Sequence, residues 1–90
     1  MNNVVQLIIS YGGTPISSNT LGKVFGISDA EIRRIVNLAR CDGYPICSCR
    51  KGYYYSENTK DIAFTVKSLQ SRINGIQRAI TGLSVHLGGD

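Results

Sequence analysis

The side chains best suited to binding a base or a phosphate lie close together in this sequence. They belong to one predicted helix and one predicted hairpin turn: Arg33, Arg34, Asn37, Arg40, Arg50 and Lys51. An arginine can donate two hydrogen bonds to guanine, and an asparagine can make two with adenine, whereas a cation on an exposed turn binds phosphate. These residue types predict contacts with a nucleic acid. The alternative is a helix and a turn whose charges are only solvated.

Each of these residues has an expected role. Arg33 and Asn37 are the expected base contacts, and Arg34 can serve either a base or a phosphate. Arg40 lies further along the helix and is expected to touch phosphate or to pair with an acid. The turn at Arg50–Lys51 would lie along the DNA backbone or in the minor groove, where the potential is negative.

The net charge of the chain is concentrated in the same segment. The chain has 90 residues and a formal net charge of +4. Five basic residues and one acid lie between Arg33 and Lys51, so this segment accounts for the excess, and the rest of the chain is balanced. A localised basic patch is the electrostatic footprint expected of nucleic-acid binding. Charge alone leaves open the alternative of a basic surface without a partner.

The sequence indicates where the basic helix begins and where it ends. The Ser28 hydroxyl can accept a hydrogen bond from the Glu31 amide, and the Glu31 carboxylate can accept one from the Ser28 amide, which makes a capping box. Because the first turn of a DNA-reading helix faces the bases, Ser28 and Asp29 are also candidate DNA contacts. The helix is expected to end at Asp42–Gly43. Four apolar residues predict its buried side: Ile32, Ile35, Val36 and Ala39.

Shorter elements are predicted on both sides of the basic helix. A short helix begins at Ser17–Ser18 and ends at Gly26, since glycine adopts the left-handed conformation of a tight turn. Two strands follow the basic helix, at residues 45–49 and 52–56. Tyr53 in the second strand could stack on a base or bind phosphate, although a tyrosine in a strand more often belongs to the core. The short helix has three apolar residues: Leu21, Val24 and Phe25.

Another apolar helix is predicted at residues 2–11, with Asn2 or Asn3 as its cap. Its apolar face would consist of four residues at helical spacing: Val4, Leu7, Ile8 and Tyr11. Pro15 disfavours a helix immediately before it and favours extended backbone. Residues 15–17 are therefore predicted to form a short strand beside the hairpin.

A regular apolar repeat runs through the last third of the chain. A helix is predicted from about residue 58 to residue 87. Its apolar residues are alternately four and three apart, which is the spacing of a coiled-coil seam, and the residue types favour a coiled coil of two helices. The expected dimerisation residues form this seam: Ile62, Val66, Leu69, Ile73, Ile76, Ile80 and Leu83. An uncovered seam on a helix of ~30 residues, ~45 Å long, favours self-association. The alternative is a helix that folds back on its own domain. In a dimer, the residues that flank the seam do not indicate whether the two helices run parallel or antiparallel.

Residues 15–55 resemble the winged helix-turn-helix at the N-terminus of biotin operon repressors. Five segments carry the resemblance: Ile16–Ser17, Leu21–Ser28, Ile32–Val36, Asp42–Ile46 and Lys51–Tyr53. The resemblance implies that Arg33, Arg34 and Asn37 face bases and that Arg50–Lys51 is the tip of the wing. The stretch Leu69–Ile80 resembles small winged-helix proteins of bacteriophages. The chain has no ligase domain, so biotin chemistry is not implied, and Gly22 stands where the family usually has an alanine-like residue.

Other chemistry has little support in the sequence. The three cysteines lack the C-x-x-C spacing of a zinc site, and His86 is distant, so we expect reduced thiols, with Cys41 as a small core residue, and no metal or other cofactor. Without a glycine-rich phosphate loop or a recognisable nucleophile–base pair, no enzyme is expected. The chain lacks a membrane-spanning apolar run and a signal-peptide pattern, so we expect a cytoplasmic protein, in the host cytoplasm if it is viral.

These patterns predict a mainly α-helical fold with a small β-hairpin wing, that is, a winged helix-turn-helix with a long C-terminal helix. Residues 1–56 would bind double-stranded DNA, residues 57–87 would join two chains as a homodimer, and residues 88–90 would be a frayed end. The expected function is that of a sequence-specific DNA-binding protein, either a small transcriptional regulator or a phage replication or accessory factor. The alternative is a protein-interaction module that binds and modulates a host protein.

Overall fold

Four helices and one hairpin follow each other along the chain in the computed structural model, which describes residues 2–88. The elements in chain order are α1 Asn3–Ser10, α2 Ser18–Phe25, α3 Asp29–Cys41, β1 Ile46–Cys49, β2 Gly52–Tyr55 and α4 Thr59–Ser84. A mainly helical fold with a small antiparallel hairpin and a long C-terminal helix is therefore confirmed. The last two residues of the predicted frayed end lie outside the described residues.

Every helix begins at a polar side chain that accepts a hydrogen bond from the backbone of its first turn. The four caps are Asn2, Ser17, Ser28 and Asn58. The Ser28 hydroxyl accepts the amide of Glu31 at 3.1 Å, as predicted. The Glu31 carboxylate binds the guanidinium of Arg34 instead of returning to the Ser28 amide, so only half of the predicted capping box forms.

The core lies between α1, α2, α3 and the hairpin. The predicted buried side of α3 is confirmed, because all four of its apolar residues are buried. Two apolar residues of the shorter helices are exposed: Tyr11, which was predicted to belong to the apolar face of α1, is 49% exposed, and Val24 of α2 is 60% exposed. On α1, Val5 is buried instead. A helix of two turns gives the apolar period too few repeats to fix its buried side.

The turn between α2 and α3 is tight, and its geometry explains Gly22. Gly26 ends α2 in the left-handed conformation, with φ of 67°. The amide of Ile27 then donates to the carbonyl of Gly22 at 3.1 Å. A β-carbon at residue 22 would lie 2.9 Å from the Ile27 carbonyl oxygen. This turn therefore leaves no room for the alanine-like residue that the resemblance led us to expect.

The hairpin is connected to the segment before α2 by one bridge. Ser48 pairs with Tyr53 in the antiparallel register of β1 and β2. On the other side of β2, Ile16 and Tyr53 exchange two backbone hydrogen bonds, of 2.8 and 2.9 Å. The short strand predicted at residues 15–17 is thus present as a single bridge. Gly52 is required beside it, since a β-carbon there would overlap the carbonyl group of Ile16.

The first half of α4 packs along the free edge of β1. Thr65 is 5% exposed, and its hydroxyl accepts the amide of Ser48 at 3.3 Å and donates to the carbonyl of Asp61 at 3.0 Å. Cys47 in β1 is also buried. The helix ends at Ser84, three residues before the predicted end, and turns follow at residues 85–87. Although α4 is long, none of the helices in residues 2–88 is long and apolar enough to cross a membrane.

Candidate nucleic-acid interface

A basic groove lies between α3, the hairpin turn and the first half of α4. Its volume is about 700 Å³, and the N-terminal end of α2 also contributes to its wall. Five cationic residues line it: Arg33, Arg40, Arg50, Lys51 and Arg72. None of its lining residues is acidic. A concave surface lined by one sign of charge raises the local concentration of oppositely charged ligands, here anions.

One face of α3 supplies three polar residues to the groove. Arg33, Asn37 and Arg40 are four and three residues apart, a spacing that places them on the same side of a helix. Arg33 also forms an ion pair of 3.5 Å with Asp29, one turn earlier. Both side chains of this pair are about three-fifths exposed, so the pair contributes at most ~1 kcal/mol and can be exchanged for another anion.

Arg34 lies on a different side of α3 and does not line the groove. Its Nε donates to Glu31 at 3.0 Å, and its Nη2 binds the second carboxylate oxygen. This pairing lowers the pKa of the Glu31 carboxyl and raises the pKa of Arg34, in each case mainly through the side-chain hydrogen bond. Among the residues predicted to bind DNA, Ser28 is occupied as the cap of α3, and Asp29 pairs with Arg33.

Arg40 is half-buried and connects α3 to the hairpin. Its Nε donates to the carbonyl of Ile46 at 2.7 Å, and its guanidinium carbon lies 5.9 Å from the centre of the Tyr53 ring. Burial lowers the pKa of Arg40, and the nearby positive charge of Arg72 lowers it further. Its Nη2 is buried without a hydrogen-bond partner among residues 2–88. Among residues 2–88 the partner of Arg40 is therefore a backbone carbonyl and not an acid, and its predicted contact with phosphate stays a prediction.

The hairpin turn brings Arg50 and Lys51 to the rim of the groove. Both residues are exposed, and within the described part of the chain neither forms an ion pair. Tyr53 lines the groove and is half-buried beneath Arg40. Tyr53 therefore packs against the core, as a strand tyrosine usually does, and is also accessible from the groove.

Sequence reasoning missed the contribution of α4 to this groove. Phe64, Ser68, Leu69 and Arg72 of α4 form one of its walls. The heptad pattern assigned Leu69 to dimerisation and gave Arg72 no role. Only the packing of α4 against β1 places Arg72 near Arg40, and no local pattern in the sequence signals a contact of this kind.

The apolar seam of α4 is divided between two environments. Ile62 and Leu69 are partly buried in the half that packs on the hairpin. Four later seam residues lie beyond it, with exposures between 50% and 71%: Ile73, Ile76, Ile80 and Leu83. Val66 is 57% exposed although it lies in the packed half. The alternative in which α4 folds back on its own domain thus describes only its first half.

The cysteines are dispersed. Cys41 is exposed, so its predicted place in the core is wrong, and Cys47 is the buried thiol instead. Cys41 is the last residue of α3, whereas Cys47 lies on β1 with its thiol 4.0 Å from the carbonyl oxygen of Ser56. In residues 2–88, no three histidine, cysteine or acidic side chains are grouped as metal ligands would be.

The chain matches none of the protein-family models, curated proteins or solved structures with which it was compared. A function is therefore inferred from the residues of the groove and of α4. The groove offers cations, an amide and an aromatic ring on one concave surface.

Proposed function

We propose that this protein is a sequence-specific DNA-binding protein of the winged helix-turn-helix type. In this proposal α2 and α3 are the helix-turn-helix, and α3 enters the major groove of double-stranded DNA. The hairpin is the wing, whose turn at Arg50–Lys51 lies on the backbone or in the minor groove. A small transcriptional regulator, or a phage replication or accessory factor, acts through such contacts.

One observation carries the proposal, namely the groove with five cationic lining residues and no acidic one. DNA carries cations condensed on its phosphates, and these cations are released when arginine and lysine side chains neutralise the phosphates, which favours binding to a surface of this kind. Since the cations come from α3, the hairpin turn and α4, an extended polyanion fits the groove better than a small one does.

The residues of α3 divide into two groups under this proposal. Arg33 and Asn37 are exposed and can turn toward base edges. Arg40 is held by Ile46, so it positions the hairpin relative to α3 and adds positive charge at the inner end of the groove. Arg34 would have to leave the Glu31 carboxylate before it could contact DNA, and it lies on another side of α3.

The exposed seam on the second half of α4 supports the proposal that the protein acts as a homodimer. Two copies of α3 one helical turn of DNA apart, or a multiple of it, would read a palindromic site. The dimer increases the affinity for such a site because the second half binds without a further loss of translational freedom.

The experiment is selection of a preferred duplex from a random library, followed by measurement of its Kd by fluorescence anisotropy. The double variant Arg33→Ala, Asn37→Ala is expected to bind the selected duplex at least tenfold more weakly, since each two-bond contact discriminates by ~1–3 kcal/mol. Arg78→Ala is the matched control, because it removes a cation from α4 outside the groove. Unchanged binding of the double variant would overturn the proposal.

The alternative function is binding to a host protein, and the exposed apolar residues of α4 favour it. Salt distinguishes the two functions. Binding to DNA weakens steeply with rising salt because phosphates release counterions. A complex formed through apolar side chains changes little under the same conditions.

A further inference from the structure

We propose that two copies of this chain associate through the second half of α4, residues 73–83, and that the two helices run antiparallel. The inference rests on the dimer of the proposed function and adds its direction and register. The heptad spacing alone permits either direction. The position of β1 against α4 removes this ambiguity.

The side of α4 that packs on the hairpin is the same side that carries the exposed seam. With 100° between successive residues of a helix, residues 62, 69, 73, 76 and 80 fall within about 60° of one another around the axis. Ile62 and Leu69 are partly covered within the chain, and Thr65 on the same side is buried. Ile73, Ile76 and Ile80 continue the stripe but are 50–61% exposed.

A parallel pair cannot use the whole seam. Two parallel helices in register lie about 8–10 Å apart along their shared length. At the level of Ile62 and Leu69, each partner helix would then meet the hairpin, because β1 contacts α4 at Thr65 and both seam residues are already partly covered there, although Val66 between them is exposed. The parallel arrangement therefore requires either that α4 leaves the hairpin or that the helices splay beyond Leu69.

An antiparallel pair uses the exposed half without this conflict. The heptad repeat has two apolar positions, a (here Ile73 and Ile80) and d (Ile76 and Leu83), and in an antiparallel pair each a position faces a d position of the partner. Ile73 then lies opposite the partner's Leu83, and Ile76 opposite the partner's Ile80. Because α4 ends at Ser84, each helix ends beside Arg72 of the other copy, where the packed half of that copy begins. The length of the exposed seam thus matches the length that a second copy can cover.

The buried area and the resulting geometry both fit the proposal. Covering the exposed aliphatic side chains of two copies removes on the order of 1,000 Å² of apolar surface, the lower bound of a specific interface. The twofold axis passes near residue 78, about 20 Å along the helix from Thr65 in each copy. The two hairpins are therefore held about 40 Å apart along α4, comparable with half-sites one turn of DNA apart.

Disulfide cross-linking of the full chain tests the direction. Ile73→Cys and Leu83→Cys are made separately in a background in which the exposed Cys41 and Cys49 are serine. In the antiparallel pair, the thiol introduced at position 73 of one chain meets the thiol introduced at position 83 of the other. Two thiols at position 73 lie about 15 Å apart along the axis and cannot bond. Oxidation of the mixture is expected to give about tenfold more covalent dimer than either variant alone.

Controls make each outcome decisive. Arg78→Cys lies on the opposite side of α4 and is expected to remain uncross-linked. Circular dichroism of each variant shows whether the helix is retained, and light scattering of the unmodified chain gives its mass. Cross-linking of Ile73→Cys with itself would show a parallel pair and overturn the inference. A chain that is monomeric at 100 μM, on the order of a weak interface's Kd, would overturn it too, while DNA binding by the monomer would leave the proposed function standing.

Discussion

The Nε atom of Arg40 lies 2.7 Å from the carbonyl oxygen of Ile46, and this hydrogen bond joins α3 to β1. The bond ties α3 to the first strand of the hairpin, and residues of both elements line the basic groove. A guanidinium that holds the backbone in this way contributes to stability as well as to charge.

Replacement of Arg40 by methionine is therefore expected to destabilise the fold. The Ile46 carbonyl would lose its charged donor, at a cost of about 1–2 kcal/mol, while the methionine keeps much of the apolar packing. Urea denaturation followed by circular dichroism measures this change. Arg33→Met is the control, since Arg33 is exposed and should change the free energy of unfolding by less than about 0.5 kcal/mol. Equal effects of the two variants would contradict the role of Arg40.

Alanine substitutions at two glycines are expected to have opposite effects on the stability of the protein. Gly75→Ala introduces a β-carbon into open space on α4 and should stabilise the helix by about 1 kcal/mol. Gly22→Ala places a β-carbon 2.9 Å from the Ile27 carbonyl oxygen and should destabilise the protein despite the higher helix propensity of alanine. Thermal unfolding of both variants measures the difference. A Tm that rises in both would show that the α2–α3 turn can relax.

The ion pair of Glu31 and Arg34 predicts a particular dependence of stability on pH. Arg34 holds the pKa of Glu31 below its ordinary value of 4.5 in the folded protein. The pair therefore contributes stability above that value, and the contribution is lost as the pH falls through the lower folded pKa. Glu31→Gln should make the fall in Tm less steep as the pH drops below about 4.5. Arg34→Gln should flatten it similarly, because either change removes the pair; an unaltered profile in both would refute the assignment.

Arg72 is expected to contribute to DNA binding although it lies on α4. It lines the groove near Arg40, so Arg72→Gln should weaken binding to all duplexes alike. The slope of log K against log salt should become smaller by about 0.9, the value for one phosphate contact. Arg78→Gln removes the same charge outside the groove and should leave the slope unchanged. If both variants behave alike, general charge and not position determines the effect.

The long elements could be predicted from the sequence because their periods repeat often enough. The buried side of α3 and the start of α4 at Asn58 follow from local spacing and from one capping side chain each. In the short helices α1 and α2 the apolar residues Tyr11 and Val24 are exposed, which the sequence could not indicate because each of these helices has only 8 residues.

The shape of the groove could not be predicted, because it depends on contacts between distant parts of the chain. Arg40 and Arg72 are brought together only after α4 packs on β1. The heptad spacing of α4 is the same in both halves, so it cannot show that one half is covered by the hairpin. The residues of α3 and the turn that line the groove, by contrast, were found from their chemistry alone.

The Thr65 hydroxyl closes the outer edge of β1 by accepting the amide of Ser48. An open strand edge is a template for strands of other molecules, and natural proteins protect such edges with a helix, a charge or a short strand. In this chain the protection comes from a helix that also carries the apolar seam. Loss of α4, by proteolysis or by truncation before Thr59, would therefore expose the edge of β1. Such a fragment is expected to aggregate through its hairpin, so solubility itself depends on the C-terminal helix.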